Sequence, residues 1–195
     1  MIKAIIFDCF GVLTSDGWLP FKQKYFGADP DKFEEAGLIN FLADSGKISK
    51  QQFNAQIAEL AGISEQKVNE AQDVNIANTP IFALIIELKK SGYKIGMLSN
   101  VSGDWLDRLF TNEQVRMFDA MALSYDTGVA KPDRRAYKII CNRLNCMASE
   151  AVFIDDQERY IDGALIVGLE TILYKNMEQL ESDLASILKM SDSNK

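Results

Sequence analysis

Five short runs of apolar residues divide the chain, and polar or glycine-containing residues follow each of them. Because apolar character is largely continuous within each run rather than alternating, the runs predict parallel strands buried on both faces of a sheet. The predicted strands are Ile2–Phe7, Tyr93–Leu98, Ala120–Leu123, Ala151–Ile154 and Thr171–Tyr174.

Helical patterns separate the later strands. Thr79 and Pro80 are a suitable N-cap and first-turn pair for a helix that runs to Lys90, and Gly92 is placed to end it. Further helices are predicted at Asp133–Leu144, Asp156–Val167 and Met177–Lys189. Regular alternation of strand and helix predicts an α/β fold with a doubly wound, Rossmann-like parallel sheet.

The stretch from Ser15 to Asn78 interrupts this alternation, because it contains helical patterns and no convincing strand. Ser49 and Gln52 form a capping box that opens one of its helices. A crossover between parallel strands needs only about a dozen residues. We therefore predict a helical domain at 15–78, inserted into a core domain made of 1–14 and 79–195. Its own small core is predicted at Trp18, Phe21, Tyr25, Phe26 and Phe33.

The charge balance argues against two classes of partner. The 195 residues include 21 basic and 28 acidic side chains, which give a net charge of −7. An acidic surface repels nucleic acid and anionic lipid. The longest apolar stretch, Ile81–Leu88, is too short to cross a bilayer. We expect a cytoplasmic protein with neither a nucleic-acid nor a membrane partner.

The chain contains no histidine and only three cysteines. The absence of histidine excludes histidine-based nucleophile triads and metal sites that need imidazole ligands. Three irregularly spaced cysteines provide neither a disulfide framework nor a structural zinc site. Any chemistry must therefore use carboxylates, hydroxyls, amines and backbone amides.

Reactive side chains follow four of the predicted strands. Ligands of open parallel sheets bind at the carboxyl ends of the strands, so we expect these side chains to share one site. They are Asp8, Ser99, Asn100, Lys131, Asp155 and Asp156. Each of them alone has an ordinary structural explanation, such as a helix N-cap or a solvated charge, but their joint arrangement favours a site.

This combination of residues indicates phosphoryl transfer. Three carboxylates without histidine or cysteine form a hard-oxygen site that suits Mg²⁺. Ser99 and Lys131 can hold phosphate oxygens. A carboxylate at a strand end can act as a nucleophile and form an aspartyl-phosphate.

The sequence also resembles the haloacid dehalogenase (HAD) superfamily of hydrolases over essentially its whole length. The segment Ile5-Ile6-Phe7-Asp8-Cys9-Phe10-Gly11-Val12-Leu13 is similar to the first motif of that family, and Leu98-Ser99-Asn100 to the second. Lys131-Pro132-Asp133 is similar to the third motif, and Ile154-Asp155-Asp156 to the fourth. The helical insertion resembles the cap domain of the first subfamily, which closes over the site.

The resemblance implies a strand order of 5-4-1-2-3 and specific roles for the site residues. Asp8 would be the nucleophile, and Ser99 and Lys131 would be catalytic. The phosphate-binding residues would be Cys9, Phe10, Ser99, Asn100 and Lys131. A Mg²⁺ cofactor would be held by Asp8, the Phe10 carbonyl, Asp156 and, directly or through water, Asp155.

One position departs from the phosphatases of the family. They carry a second aspartate two residues after the nucleophile, which protonates the leaving group and then activates water, and here that position is Phe10. A positioned acid–base group typically contributes about 10²–10⁴-fold to the rate. Asp16 is one candidate replacement.

Three functions fit the sequence. The first is a Mg²⁺-dependent phosphatase of a small phosphorylated molecule. The second is a catalytically weak or inactive member that binds a phosphorylated ligand or a partner. The third is a 2-haloacid dehalogenase, which also carries an aromatic residue at this position. Dehalogenases need no metal and lack an acidic pair at the fourth strand, so Asp155 and Asp156 argue against that function.

Overall fold

A parallel five-stranded sheet forms the centre of the computed structural model, which describes residues 1–72, 75–101 and 106–192. The strands are β1 (Ala4–Phe7), β2 (Lys94–Ser99), β3 (Ala120–Leu123), β4 (Ala151–Asp155) and β5 (Glu170–Leu173). Their order is β3-β2-β1-β4-β5, which is the predicted order viewed from the opposite edge. The predicted doubly wound α/β fold is confirmed.

Helices connect and cover these strands. They are α1 (Trp18–Phe26), α2 (Pro30–Asp44), α3 (Lys50–Ala61), α4 (Glu65–Gln72), α5 (Thr79–Lys90), α6 (Leu106–Leu109), α7 (Asn112–Val115), α8 (Ser124–Thr127), α9 (Arg134–Arg143), α10 (Glu158–Val167) and α11 (Met177–Asp192). A short 3-10 helix spans Ala148–Glu150.

Three helix starts differ from the sequence prediction. Helix α9 begins at Arg134, one residue later than predicted, because Asp133 is its N-cap. The N-cap of α5 is Asn78, so Thr79 and Pro80 are its first two residues. Helix α10 begins two residues later than predicted, because the Asp155 side chain accepts a hydrogen bond from the Gln157 N–H at 2.8 Å. This turn keeps both aspartates of the pair at the end of β4 rather than inside the helix.

The sheet is buried on both faces, which explains its continuous apolar strands. Side chains alternate between the faces of a strand. Ile5 and Phe7 of β1 therefore join the apolar cluster under α5 and α11, whereas Ala4 and Ile6 join the cluster under α9 and α10. Since each face contacts an apolar helix surface, both sets of positions must be apolar.

Helices α1–α4 lie between β1 and α5 and surround a third apolar cluster. Phe21 and Phe26 are buried there, and Trp18, Tyr25 and Phe33 are partly buried against it. The predicted capping box of α3 is present. Two adjacent connections join these helices to the core, where Ser15 N donates to the Ile76 carbonyl at 2.9 Å. The division at 15–78 remains our proposal, and we call α1–α4 the cap.

The register of the strands aligns the chemically important residues. Phe7 is paired with Met97 of β2 and with Ile154 of β4, so Asp8 lies level with Asp155. The carboxyl ends of β1, β2 and β4 therefore meet at one edge of the sheet. Among the described residues, no helix combines the length and apolar character that crossing a bilayer requires.

Candidate active site

A buried lysine joins two of the predicted carboxylates. Lys131 Nζ lies 2.6 Å from Asp8 Oδ1 and 2.6 Å from Asp155 Oδ2. Lys131 is 1% exposed, Asp8 4% and Asp155 0%. Burial by itself lowers the pKa of the Lys131 ammonium, but the adjacent Asp155 and Asp8 carboxylates outweigh it and hold that pKa above its ordinary value. The ammonium therefore stays charged between the two carboxylates.

The Asn100 side chain positions Lys131 by hydrogen bonds to the Lys131 backbone. The Asn100 Oδ1 accepts from the Lys131 N–H at 2.7 Å, and the Asn100 Nδ2 donates to the Lys131 carbonyl at 2.9 Å. The same Nδ2 also donates to the Tyr160 hydroxyl at 3.2 Å. With its side chain engaged in this way, Asn100 fixes the loop that carries Lys131. Its predicted contact with phosphate is untested by this geometry.

Tyr160 is a site residue that the sequence pattern did not reveal. Its ring centroid lies 4.6 Å from Lys131 Nζ, within the range of a cation–π contact. The residue sits in the first turn of α10, where an aromatic side chain is typical of an ordinary core position. Only the packing of α10 beside the Lys131 loop places this ring at the site.

Asp156 completes a cluster that fits a divalent cation. One carboxylate oxygen from each of Asp8, Asp155 and Asp156 lies within 4.8 Å of the other two. Among the described residues, Lys131 is the one cationic side chain in an ion pair with this cluster, so three carboxyl groups face one ammonium. Within the described part of the chain, Asp156 Oδ1 is buried and has no hydrogen-bond partner. Oxygen ligands of this kind suit Mg²⁺. The residues present therefore fit the metal that the family resemblance implies.

Gly11 makes room for the Asp156 carboxylate. Its φ of +88° lies in the left-handed region, where side chains are strained. A Cβ at this position would lie 2.3 Å from Asp156 Oδ2. The glycine of the first motif is thus required for both its backbone conformation and the space it leaves.

Burial and the neighbouring carboxylates raise the pKa values of Asp8 and Asp156. Burial, together with the neighbouring Asp155 and Asp156, raises the pKa of Asp8, although Lys131 opposes the shift. Burial and the charge of Asp155 raise the pKa of Asp156 to about 6. A cation near these groups would favour their ionised forms.

Ser99 lies at the end of β2 with an unsatisfied hydroxyl. The residue is 1% exposed, and its Oγ has no hydrogen-bond partner among the residues that the structure describes. Buried polar atoms without a partner are rare in native proteins and indicate an absent ligand, ion or water. A phosphate oxygen is a suitable acceptor for this hydroxyl.

The two residues after Asp8 have different surroundings. Cys9 is fully buried, and burial followed by the charge of Asp8 raises the pKa of its thiol, so a thiolate nucleophile is disfavoured. Phe10 packs partly against the sheet core and lines the cavity above Asp8. Its side chain supplies no proton donor at that position.

A cavity of about 930 Å³ lies over the edge of the sheet. Asp8, Lys131 and Asp156 contribute to its floor, and the cap contributes Trp18 and Phe33. This volume is at the upper end of the range for small-molecule sites, roughly 300–1,000 Å³. A small ligand can therefore contact the charged floor and the cap together.

Comparison with known protein families identifies the chain. Residues 2–168 match the family model described as haloacid dehalogenase-like hydrolase. The chain belongs to the haloacid dehalogenase-like hydrolases. The resemblance drawn from the four motifs is thereby confirmed, and the protein is a hydrolase.

Phosphatases are found among the relatives of this HAD-like hydrolase. It is 28% identical over 206 residues to a D-ribitol-5-phosphate phosphatase from Bacteroides thetaiotaomicron, an alignment that covers 96% of this chain and 99% of that one. It is 26% identical over 185 residues to the bifunctional epoxide hydrolase 2 of Sus scrofa, covering 91% of this chain but only 29% of that protein.

A solved structure shares both the fold and the chain length. It is a HAD family enzyme from Bacteroides thetaiotaomicron in complex with magnesium and inorganic phosphate. The TM-score is 0.66 at 26% sequence identity, and the match covers 90% of this chain and 95% of that one.

Proposed function

We propose that this HAD-like hydrolase is a Mg²⁺-dependent phosphatase that acts on a small phosphorylated molecule through an aspartyl-phosphate at Asp8. The observation that carries the proposal is a pair of buried, unsatisfied oxygens at the same carboxyl edge of the sheet as the Asp8–Lys131 pair. Ser99 Oγ has a hydrogen to donate to a phosphate oxygen, and Asp156 Oδ1 has a lone pair for a cation. The related phosphatase and the magnesium–phosphate complex of a structural relative support it.

Each residue has a defined task in this reaction. An Asp8 carboxylate oxygen attacks phosphorus, and the bond from phosphorus to the leaving-group oxygen breaks. Lys131 holds Asp8 in place and offsets negative charge on the phosphoryl oxygens, while Ser99 donates a hydrogen bond to one of them. Asp8, Asp156, the Phe10 carbonyl and Asp155 would hold Mg²⁺. When bound, that ion offsets the charge that opposes attack of one anion on another.

Phosphate hydrolysis accounts for the acidic pair better than dehalogenation does. A 2-haloacid brings a further carboxylate to a floor where three carboxyl groups already face one paired ammonium. Displacement of a halide requires no metal and no second acidic residue at this position. Asp155 and Asp156 together therefore favour a substrate that arrives with a divalent cation.

The proposal is tested by hydrolysis of p-nitrophenyl phosphate and of acetyl phosphate, with Mg²⁺ and with EDTA. We expect wild-type turnover that needs Mg²⁺, and a loss on the order of 10⁴–10⁶-fold in Asp8→Asn, as for removal of other nucleophiles. Asp126→Asn is the matched control, since this carboxylate is exposed and pairs with Arg143 at the surface.

Two outcomes contradict the proposal. If wild type hydrolyses neither substrate faster than Asp8→Asn does, the protein is a binding member of the family. If it instead releases chloride from 2-chloropropionate in the presence of EDTA, it is a dehalogenase.

A further inference from the structure

The proposed phosphatase reaction leaves one proton unassigned, because Phe10 stands where an acid–base residue is expected. Alkoxide leaving groups are poor unless a proton reaches them as the bond breaks. The donor must be a titratable group that lines the same cavity and is not already engaged by the proposed metal site. Three carboxyl groups that line the described cavity satisfy both conditions: Asp16, Glu34 and Asp44.

Two of these groups are poorly suited to the task. Asp16 accepts hydrogen bonds from the N–H groups of Trp18 at 2.8 Å and of Leu19 at 3.3 Å. Both carboxylate oxygens of Asp16 are therefore engaged in hydrogen bonds to the first residues of α1. Glu34 is exposed on α2, so packing does not hold its long side chain in one position over the site.

Asp44 has a different position, because the core holds it in place through its backbone. It is the last residue of α2, and its carbonyl oxygen accepts a hydrogen bond from Ser124 Oγ. Ser124 is buried directly after β3, and its Oγ accepts from the Val101 N–H at 2.7 Å. A fixed point at the carboxyl edge of the sheet thus holds this end of the cap over the site. The carboxyl side chain takes no part in this contact.

The Asp44 carboxyl group is partly buried and forms no ion pair with any described residue. Its Oδ2 accepts one hydrogen bond, from Asn40 Nδ2 at 2.9 Å. The charges that face it are Lys131 and Arg159 of the core, which favour its ionised form, and Asp16, which opposes it. Tyr160 also lies within its electrostatic reach. Burial is the largest of these influences and raises the pKa of Asp44 to about 7.

We propose that Asp44 is the catalytic acid and base of this phosphatase and performs the proton transfers that Phe10 cannot perform. The proposal rests on the proposed function. On this proposal, the cap supplies a proton-transfer group as well as part of the cavity wall.

The proton balance is then complete. In the first half-reaction the Asp8 oxygen bonds to phosphorus, the ester P–O bond breaks, and the Asp44 proton moves to the leaving oxygen, so that a neutral alcohol departs. In the second, the Asp44 carboxylate takes a proton from water as the water oxygen attacks phosphorus. The P–O bond to Asp8 then breaks, inorganic phosphate leaves, and both Asp8 and protonated Asp44 are restored.

The test compares leaving groups in Asp44→Asn, a substitution that preserves side-chain size and leaves the backbone bond to Ser124 in place. For an alkyl phosphate such as glycerol 3-phosphate, we expect kcat/KM to fall about 10²–10⁴-fold. For p-nitrophenyl phosphate, whose leaving group departs without a proton, kcat/KM should stay near the wild-type value. Its kcat should fall, with a burst of p-nitrophenol, because the second half-reaction still needs the base.

The pH profile provides a second measurement. A general acid must be protonated, so wild-type kcat/KM for the alkyl phosphate should decline as the pH rises above about 7, where Asp44 ionises. This decline should be absent in Asp44→Asn. Glu35→Gln, an exposed carboxylate on the same helix, is the matched control and should behave as wild type.

The outcomes separate this inference from the proposed function. Equal losses for both leaving groups, or wild-type behaviour of Asp44→Asn, overturn the role of Asp44 while Asp8-dependent hydrolysis still stands. If Asp16→Asn shows the leaving-group dependence instead, the role belongs to Asp16. Absence of any Asp8-dependent hydrolysis in wild type contradicts the proposed function itself. Thermal denaturation of each variant confirms that it is folded.

Discussion

The floor and the wall of the cavity are built in different ways. The floor consists of short carboxylates at the ends of strands and one lysine, of which Asp8 and Lys131 are almost fully buried and Asp156 is partly buried. The wall belongs to helices of the cap and includes the partly buried Trp18 and Phe33 and the exposed Leu38. Charge defines the floor, whereas apolar contact surface predominates among these residues of the wall.

This difference separates two properties of the site. Buried charges interact strongly because little water screens them, so a change in the floor affects stability, metal binding and chemistry together. A half-exposed wall can change its side chains at small cost to folding. In the proposed reaction the floor therefore supplies the nucleophile and the metal ligands, and the wall, apart from Asp44, is the region where substrate preference can vary. Substitutions in the floor and in the wall should therefore differ in their effects on stability, Mg²⁺ affinity and KM.

The largest effect is expected from Lys131→Met. Removal of the ammonium leaves the buried Asp8 and Asp155 carboxylates 2.6 Å from where Nζ stood, without a counter-charge. Loss of one partner of a buried ion pair typically costs about 3–5 kcal/mol. Urea denaturation without Mg²⁺ measures this loss. Lys89→Met, which removes a half-exposed pair with Asp119, should cost less than about 1 kcal/mol. Equal losses in the two variants would contradict the distinct character of the floor.

Mg²⁺ should stabilise the protein without any substrate. A ligand that binds only the folded state at 100 times its Kd adds about 2.7 kcal/mol to the free energy of unfolding. Thermal denaturation across a Mg²⁺ titration measures this gain. Asp156→Asn should abolish most of this stabilisation, because an uncharged amide replaces the carboxylate that carries the unsatisfied Oδ1. An unchanged Mg²⁺ response in this variant would show that the ion binds elsewhere.

Gly11→Ala should weaken Mg²⁺ binding by a smaller amount. The added Cβ forces the Asp156 carboxylate to move, and a disturbed ligand environment typically costs about 10–100-fold in metal affinity. Gly92→Ala is a close control, since its φ of +89° imposes the same backbone strain while nothing lies within 4 Å of the new Cβ. Both variants should lose stability, but only Gly11→Ala should lose affinity for Mg²⁺ in a calorimetric titration.

The smallest effect is expected in the wall. Leu38 lines the cavity and is 58% exposed, so Leu38→Ala removes contact surface without opening a buried void. We expect the KM for substrate to rise by up to about 10-fold, since a few methylene groups are worth about 0.8 kcal/mol each when buried. Mg²⁺ affinity and stability should not change. Leu165→Ala, exposed on α10 outside the cavity, should leave KM at its wild-type value.

Several parts of this molecule followed from sequence because they depend on local patterns. Continuous apolar runs predicted β1 and β4, since burial on both faces requires every residue to be apolar. Ser49 and Gln52 predicted the start of α3, because a capping box involves only neighbouring residues. The boundary of α10 was predicted two residues early, since the turn made by the Asp155 side chain competes with helix formation.

The candidate site also contains features that could be predicted from the sequence and features that could not. The order of motifs predicted that Asp8, Ser99, Lys131 and the Asp155–Asp156 pair would follow strands, and the parallel sheet then required them to share one edge. Two contacts could not be predicted from the sequence. They are the hydrogen bonds from Asn100 to the Lys131 backbone and the cation–π contact of the Tyr160 ring with the Lys131 ammonium. These contacts join residues 29 or more positions apart along the chain, and no local pattern encodes which of them meet.

The fold class, the four motif positions and the excess of carboxylates at the sheet edge follow from the amino-acid sequence alone. The sequence also showed that Phe10 cannot carry the expected proton. Two contacts required the three-dimensional packing to be known: the bridge of one ammonium between two carboxylates, and the hydrogen bond of the end of α2 to Ser124 of the core. The physical reason is that strand ends are placed by backbone hydrogen bonding. Contacts between the cap and the core depend instead on how separately formed helices pack against the sheet.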